Sequence, residues 1–167
     1  MLDPPFTIDT NLKTTPSPLS APFLDNYFAS RGTGFLAGTG PSIIATATTL
    51  SINASYIAAH AALESAWGSA PIARLKNNIF GWSAFDESPF ASARAFPSLA
   101  ACILFVMSRI HVLYLTPGGR YFCLAPCLGK GGPDKYGMNA NYASDPDWGA
   151  KIAHIVQQLE FAFSRCP

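Results

Sequence analysis

The segment from Ser98 to about Leu115 constrains the fold more than any other, because it is apolar along almost its whole length. Its apolar side chains recur at the spacing of one helical face, at Leu99, Cys102, Ile103, Val106 and Ile110. A helix this apolar must be covered by other elements, so the sequence predicts a central helix in a folded core. The 167 residues, 49% hydrophobic and 13% charged, suffice for one domain but not for two of full size.

The rest of the chain predicts further helices and two irregular regions. Helices are expected near Phe23 to Ala29, from Ser42 to Leu50, from Asn53 to just before Gly68, and from Pro146, capped by Ser144 or Asp145, to about Arg165. Residues 77–97 lose the helical period and predict a loop or small hairpin lobe, whereas residues 116–141 predict a long irregular connection. Residues 1–22 predict an extended N-terminal arm, and residues 23–167 the folded domain.

Composition and charge exclude several classes of function. The formal net charge of +1 leaves no broad basic face, so nucleic acid is not expected as a partner. The most apolar long stretch, residues 41–62, is interrupted by polar side chains, which predicts no membrane span. The first residues contain prolines and an acid where a secretory signal needs a basic start and an apolar run. No signal peptide is therefore legible.

The four cysteines predict neither a disulfide scaffold nor a zinc site. Cys123 and Cys127 form a CxxxC pattern, whereas zinc knuckles use CxxC pairs, and Cys102 and Cys166 stand apart. Small buried thiols are the favoured interpretation, with a disulfide between two of the four as the alternative. No metal and no organic cofactor is expected.

Glu64 is chemically conspicuous because the nearest carboxylates along the chain are Asp25 and Asp86. On its predicted helix, Glu64 borders an apolar stripe formed by Tyr56, Ala59, Leu63 and Trp67. Partial desolvation there would favour the neutral carboxyl group, which makes Glu64 a candidate proton donor. The alternative is a surface glutamate paired with His60 at i−4. A metal site at this pair would lack a third ligand.

Three short blocks follow one another along the chain. They are ALESAWGS around Glu64, NNIFG from Asn77 and YASDPDW from Tyr142. Together they resemble the glucosaminidase family, the endo-β-N-acetylglucosaminidases of glycoside hydrolase family 73 that cut bacterial peptidoglycan. The resemblance covers about residues 57–156. Where the family has a glycine after the Glu-Ser pair, this chain has Ala66.

The resemblance implies an α+β, mainly α, lysozyme-like fold. A helical lobe around the glutamate-bearing helix and a small lobe from about residues 77–97 would flank a glycan groove. The resemblance also gives Glu64 the role of general acid, protonating the leaving oxygen of the β-1,4 bond between N-acetylglucosamine and N-acetylmuramic acid. The alternatives are a muramidase or lytic transglycosylase on the same fold, and a non-catalytic glycan-binding or assembly module.

The second catalytic group is open between a carboxylate of the small lobe, in either a covalent retaining or an inverting route, and a group of the substrate itself. Asp86, beside Glu87 in the small lobe, could face Glu64 and orient a water or stabilise an oxocarbenium-like transition state. The substrate's own 2-acetamido group could instead be the nucleophile, so that no second carboxylate is needed. The resemblance places the hydroxyl of Tyr142 beside the acid, where it could hold the acetamido group or a water. Packing at a helix start is the structural alternative for Tyr142.

Aromatic faces and amides supply the predicted sugar contacts, because the C–H faces of sugar rings are apolar and their hydroxyls are polar. The candidate substrate-binding residues are Asn77, Asn78, Phe80, Trp82, Phe85, Met138 and Asn139. Asn78 has a structural alternative, since an asparagine at this point can bond to its own backbone and stabilise the turn.

The expected partner is the glycan strand of peptidoglycan, in the cell wall, in the periplasm or outside the cell. Because the chain carries no legible signal and no wall-binding repeat, three origins fit. It could be a phage lysin, a secretion-apparatus or virion-associated hydrolase, or an excised domain. A monomer is expected.

Overall fold

Helices dominate the part of the chain that the computed structural model describes, residues 5–83 and 89–166. They are α1 (Ala21–Ala29), α2 (Gly40–Leu50), α3 (Ala54–Glu64), α4 (Pro71–Lys76), α5 (Pro89–Ser92), α6 (Leu99–Tyr114) and α7 (Trp148–Ser164). A 3-10 turn covers Met138–Ala140, and the β pairing in these residues is an isolated antiparallel bridge between Lys130 and Tyr136. The mainly α expectation is confirmed. The β bridge lies in the long connection, whereas the described part of residues 77–97 forms loop and α5.

The helix enclosed most completely is α3, not the predicted α6. Every residue of α3 from Ala54 to Ala62 is buried, because its many alanines let neighbouring elements approach from all sides. It packs mainly on α7, while α6 packs on α2. One face of α6 is buried, but Leu104 and Val112 on the other are 49% and 59% exposed. The apolar period located α6 correctly and overestimated its burial.

Local capping explains where three of the helices begin. The side chains of Ser20, Asn53 and Ser98 accept hydrogen bonds from backbone N–H groups in the first turns of α1, α3 and α6. The predicted start of α7 is wrong, because the helix begins at Trp148 rather than at Pro146. Asp145 instead accepts the backbone N–H of Asp147 at 3.0 Å, one turn before the helix.

The end of α3 also differs from the prediction. The helix stops at Glu64, and Ala66, Trp67 and Gly68 follow with φ angles of +48°, +57° and +80°. Trp67 therefore does not continue the apolar stripe of the helix. Glycine is required at position 68, because a Cβ there would lie 2.9 Å from the Cβ of Phe35. This reversal leaves Glu64 at the tip of a buried helix.

The described part of the N-terminal arm, residues 5–20, packs onto the helices as coil and turns. Phe6, Leu12 and Leu19 join the hydrophobic core. The backbone of Leu12 accepts a hydrogen bond from Asn53 N at 2.8 Å and donates one to Pro126 O at 2.9 Å. The four cysteines are free thiols, two of them buried. None of the described helices is both long and apolar enough to cross a membrane.

Candidate active site

An open groove of about 580 Å³ lies where the C-terminal end of α3 reaches the surface. Its walls come from α3, the ends of α6 and α7 and two loops. They comprise Glu64, Phe80, Gly81, Trp82, Ser83, Tyr114, Tyr142, Ala143, Ser144, Asp145 and Trp148. The groove thus brings together side chains from all three sequence blocks that were singled out above.

Glu64, the last residue of α3, is the carboxylate at the base of this groove. Its side chain is 27% exposed, so it is mostly enclosed yet open to the groove. Oε1 accepts a hydrogen bond of 2.7 Å from the indole Nε1 of Trp148. The same oxygen lies 3.6 Å from Nε2 of His60, one turn earlier on α3. The carboxyl group is therefore held in place by groups from two helices.

The pKa of Glu64 lies below its ordinary value, contrary to the sequence expectation. Burial is the largest single effect and raises this pKa, as expected. The electrostatic attraction of the His60 imidazole and the N–H of Trp148 lower it, and together they outweigh burial. Glu64 is thus mainly ionised in the free protein near neutral pH. Of these two partners, His60 lies one turn away on α3, whereas Trp148 lies 84 residues away along the chain and could not be assigned to Glu64 from the sequence.

His60 lies behind Glu64 in a pocket of aromatic rings. The imidazole is fully buried, and the rings of Phe80, Tyr142 and Trp148 contact it edge-on with centroids 5.1 to 5.2 Å away. The sequence analysis treated a His60 pair and a buried functional glutamate as alternatives. The structure combines them, since Glu64 has His60 as its neighbour and also faces the groove.

Tyr142 forms the wall beside Glu64. Its ring lies 4.8 Å from that of Trp148 and 5.3 Å from that of Tyr114. Burial, and then the charge of Glu64, raise the pKa of Tyr142 well above its ordinary value. The phenol is therefore neutral at neutral pH and able to donate a hydrogen bond into the groove.

The predicted amide contacts lie outside the groove lining. Asn78 is buried, and its Oδ1 accepts from Trp82 N at 2.9 Å while Nδ2 donates to Trp82 O and Arg94 O. This arrangement favours the structural alternative, in which Asn78 stabilises the loop that carries Trp82. Asn77 caps α4 with a φ of +50° and donates to Phe96 O.

The other predicted substrate-binding residues divide into three groups. Phe80 and Trp82 line the groove, Phe80 from a nearly buried position. Met138 and Asn139 are buried beneath the groove, where Asn139 Nδ2 donates to Pro146 O at 2.8 Å. Phe85 and Asp86, with Glu87, lie outside the described residues.

Sequence reasoning missed two aromatic side chains of the site. Trp148 was not among the predicted site residues, yet this buried tryptophan donates to the candidate acid. Tyr114, at the end of the apolar α6, lines the groove and was not singled out. Only for Trp148 did the sequence carry a signal, its place in the YASDPDW block. Over the described ranges, no three His, Cys, Asp or Glu side chains converge as a metal site.

Comparisons with known proteins place this geometry in context. The family whose model matches the chain is Glucosaminidase, described as mannosyl-glycoprotein endo-beta-N-acetylglucosaminidase, and the match covers residues 40–161. Two Streptococcus pneumoniae proteins assigned as endo-beta-N-acetylglucosaminidases are 41% identical to this chain over 108 residues. The match spans 65% of this chain but only 14–15% of the length of those proteins.

Solved structures of Staphylococcus aureus autolysin E have the same lysozyme-like fold. One superposes with a TM-score of 0.70 at 22% identity, over 94% of this chain and 72% of that one. A catalytic mutant bound to the disaccharide NAG-NAM gives 0.70 at 21% identity, over 95% and 74%. A complex with the muropeptide NAM-L-Ala-D-iGlu gives 0.71 at 20% identity, again over 95% and 74%. At these identities the likeness shows the fold alone.

Proposed function

The chain belongs to the glucosaminidase family of glycoside hydrolases, and on that premise we propose that it hydrolyses bacterial peptidoglycan. The bond is the β-1,4 linkage between N-acetylglucosamine and N-acetylmuramic acid. The observation that carries the proposal is the Glu64 carboxyl group, held by Trp148 at the base of an open groove. A catalytic mutant of autolysin E in complex with NAG-NAM supports the substrate class by analogy.

Glu64 is the general acid in this proposal. It transfers its proton to the glycosidic oxygen as the bond to the anomeric carbon breaks, so the leaving sugar departs as an alcohol. The resulting carboxylate is stabilised by the indole N–H of Trp148, which already donates to Oε1 at 2.7 Å. The carboxylate then takes a proton from the water that attacks the anomeric carbon, so the new hydroxyl group forms on that carbon and Glu64 is again protonated for the next turnover.

Tyr142, on the groove wall beside Glu64, acts on the same sugar in this proposal. Its neutral hydroxyl can hold the 2-acetamido group or an attacking water, because it lines the same groove as Glu64. An acetamido oxygen that attacks the anomeric carbon needs no second enzyme carboxylate. Asp86 is the alternative second group and stays a prediction from the sequence.

The groove also suits a sugar chain. Trp82 and Tyr114 offer aromatic surface on its walls, while Ser83 and Ser144 offer hydroxyl groups. The apolar faces of aromatic side chains pack on the C–H surfaces of sugars, and side-chain hydroxyl groups form hydrogen bonds with the sugar hydroxyls. We propose that peptidoglycan strands are bound here and that the protein acts at the cell wall.

The identity of the newly formed sugar end tests this function. Purified peptidoglycan is digested, the products are reduced with borohydride, and the reduced terminal sugar is identified by mass spectrometry. Reduced N-acetylglucosamine ends are expected. Reduced N-acetylmuramic acid would make the protein a muramidase, and anhydro-N-acetylmuramic acid a lytic transglycosylase. Binding without any new ends, on several wall types, would overturn the proposal in favour of a glycan-binding module.

A further inference from the structure

One nitrogen of a fully buried histidine has no hydrogen-bond partner. Nδ1 of His60 lies 3.0 Å from the hydroxyl of Tyr56, one turn earlier on α3. Nε2 of His60 is shielded from solvent and makes no hydrogen bond within the described residues. An unpartnered buried polar atom is costly, so its orientation requires a physical reason. The polar atom it faces is Oε1 of Glu64, 3.6 Å away.

The hydroxyl of Tyr56 determines which nitrogen of His60 carries the proton. That hydroxyl can donate either to Nδ1 of His60 at 3.0 Å or to the sulfur of Met138 at 3.5 Å. Imidazole nitrogen is a far better acceptor than a thioether sulfur, so the hydroxyl donates to Nδ1. The ring proton then sits on Nε2, on the side of Glu64.

The packing around His60 holds the imidazole ring in this orientation. Phe80, Tyr142 and Trp148 enclose it edge-on, and Tyr56 lies on the same helix with its ring 5.5 Å away. Residues 56, 60 and 64 stand one turn apart on α3, which aligns the three side chains along one helical face.

We propose that the Nε2–H of His60, fixed by Tyr56, is directed at the Glu64 carboxylate and stabilises its ionised form. His60 is then a positioning residue for the acid, since it touches neither substrate nor the reacting atoms. Only the expected effect of His60 on the kinetics of peptidoglycan cleavage rests on the proposed function. The tautomer of His60 and the ionisation of Glu64 are properties of the free protein.

The other titratable groups near the pair do not provide this effect. On α3, burial raises the pKa of Tyr56 well above its ordinary value, and the same holds for Tyr142 from the loop before α7. On α6, burial raises the pKa of Tyr114, and that of Cys102 to about 11. All four groups are neutral near neutral pH.

Asp145 is the other carboxylate on the groove wall of the described chain. Its hydrogen bond with Lys151 lowers its pKa, so it stays ionised over the working pH range. Within the described residues, Glu64 is therefore the groove carboxylate whose titration this inference concerns.

The tautomer is tested first by NMR of protein labelled with ¹⁵N at histidine. The chain has only three histidines, so the signals are resolved easily. The Nε2–H tautomer is expected for His60 in the wild type. In Tyr56→Phe the pattern should shift towards a tautomeric mixture. An Nδ1–H signal in the wild type would overturn the inference.

The second test titrates the side-chain carboxyl carbons of the three glutamates, labelled with ¹³C. Glu64→Gln assigns the signal of Glu64. In His60→Phe, which keeps an aromatic ring in the pocket, the pKa of Glu64 should rise by about one unit. His60→Gln, whose amide retains an N–H donor, should give a smaller rise. His154→Gln, on the exposed face of α7, is the control and should give none.

Activity on peptidoglycan separates this inference from the proposed function. In His60→Phe the alkaline limb of kcat/KM should move to higher pH by the same amount as the titration. An unchanged Glu64 titration in both His60→Phe and His60→Gln would overturn the inference, whatever the activity. An inactive wild type would overturn the proposed function alone. If His60→Phe does not fold, His60→Gln and Tyr56→Phe provide the readout.

Discussion

Glu64 occupies the one position on α3 where a buried helix reaches the groove. The residues before it are enclosed by other elements, and the chain reverses immediately after it. Its carboxyl group is consequently held by neighbours but still open to a ligand. This arrangement matches the needs of a proton donor, which must be oriented and must also reach the leaving oxygen.

Replacement of Glu64 by Gln should lower turnover by about 10²–10⁴-fold, because the amide keeps the shape but has no proton to transfer. Release of reducing ends from purified peptidoglycan measures the effect. Glu160→Gln is the matched control, because Glu160 is not among the residues that line the groove. Glu160 lies on α7 and accepts a hydrogen bond from Ser55 of α3. Retention of more than a few per cent of activity in Glu64→Gln would show that Glu64 is not the general acid.

The value of kcat/KM should increase towards acid pH. A general acid works only when it is protonated, and the lowered pKa of Glu64 places its protonated form on the acidic side. As pH falls from about 8 to 5, the protonated fraction increases, and kcat/KM should increase with it. Circular dichroism over the same range controls for unfolding. A kcat/KM that increases with pH would contradict the assigned role.

If the hydroxyl of Tyr142 acts on the reacting sugar as proposed, Tyr142→Phe should reduce kcat more than it changes KM. The ring is retained, so its packing on Trp148 and Tyr114 is preserved. Steady-state kinetics on a soluble glycan fragment give the two constants separately. A higher KM with unchanged kcat would make Tyr142 a binding residue.

At the scale of elements, the reversal after α3 determines how the acid is presented. Three consecutive residues have positive φ, and only the last of them is a glycine. Ala66 occupies the position at which the glucosaminidase family has a glycine. Its φ of +48° lies in the left-handed region, which is a physical reason for the preference for glycine there. The non-glycine residues here raise the free energy of the folded state.

Ala66→Gly should therefore stabilise the protein by up to about 1 kcal/mol, since glycine adopts positive φ without steric cost. Urea denaturation measures the free energy of unfolding. Ala45→Gly, at an exposed position in the middle of α2, is the control and should destabilise by about 0.5–1 kcal/mol. Destabilisation by both substitutions would mean that the backbone at Ala66 carries no strain.

In the whole protein, the described part of the N-terminal arm, residues 5–20, contributes to the core. Leu12 is fully buried, and its backbone bridges Asn53, the cap of α3, and Pro126 in the long connection. The arm therefore supports the start of the helix whose other end carries Glu64. We propose that the segment before α1 folds together with the rest of the chain.

Leu12→Ala should lower the free energy of unfolding by about 2–5 kcal/mol, the cost of a cavity in a packed core. Thr14→Ala, exposed two residues later, is the control and should have little effect. Thermal or urea unfolding gives both values. Equal stabilities of the two variants would show that the arm is an independent appendage, as its composition suggested.

Features that depend on neighbours along the chain were predictable from the sequence. Asn53 and Ser98 were predicted helix starts because a capping side chain bonds to a backbone N–H only a few residues away. The apolar periods located α3 and α6 for the same local reason. Glu64 was singled out because isolation among apolar residues is visible in the sequence.

The environment of Glu64 also depends on packing between helices that are distant along the chain. Burial favours the neutral carboxyl group, and this effect was predictable from the apolar residues nearby. Two contacts oppose burial: His60, one turn earlier on α3 and so recognisable in the sequence as a possible partner, and Trp148, whose indole is brought to Oε1 by the packing of α7 on α3. Long-range contacts of this kind have no counterpart in local sequence patterns. The direction of the pKa shift of Glu64 therefore follows from burial opposed by His60, its neighbour on α3, and by Trp148, which only the fold brings close.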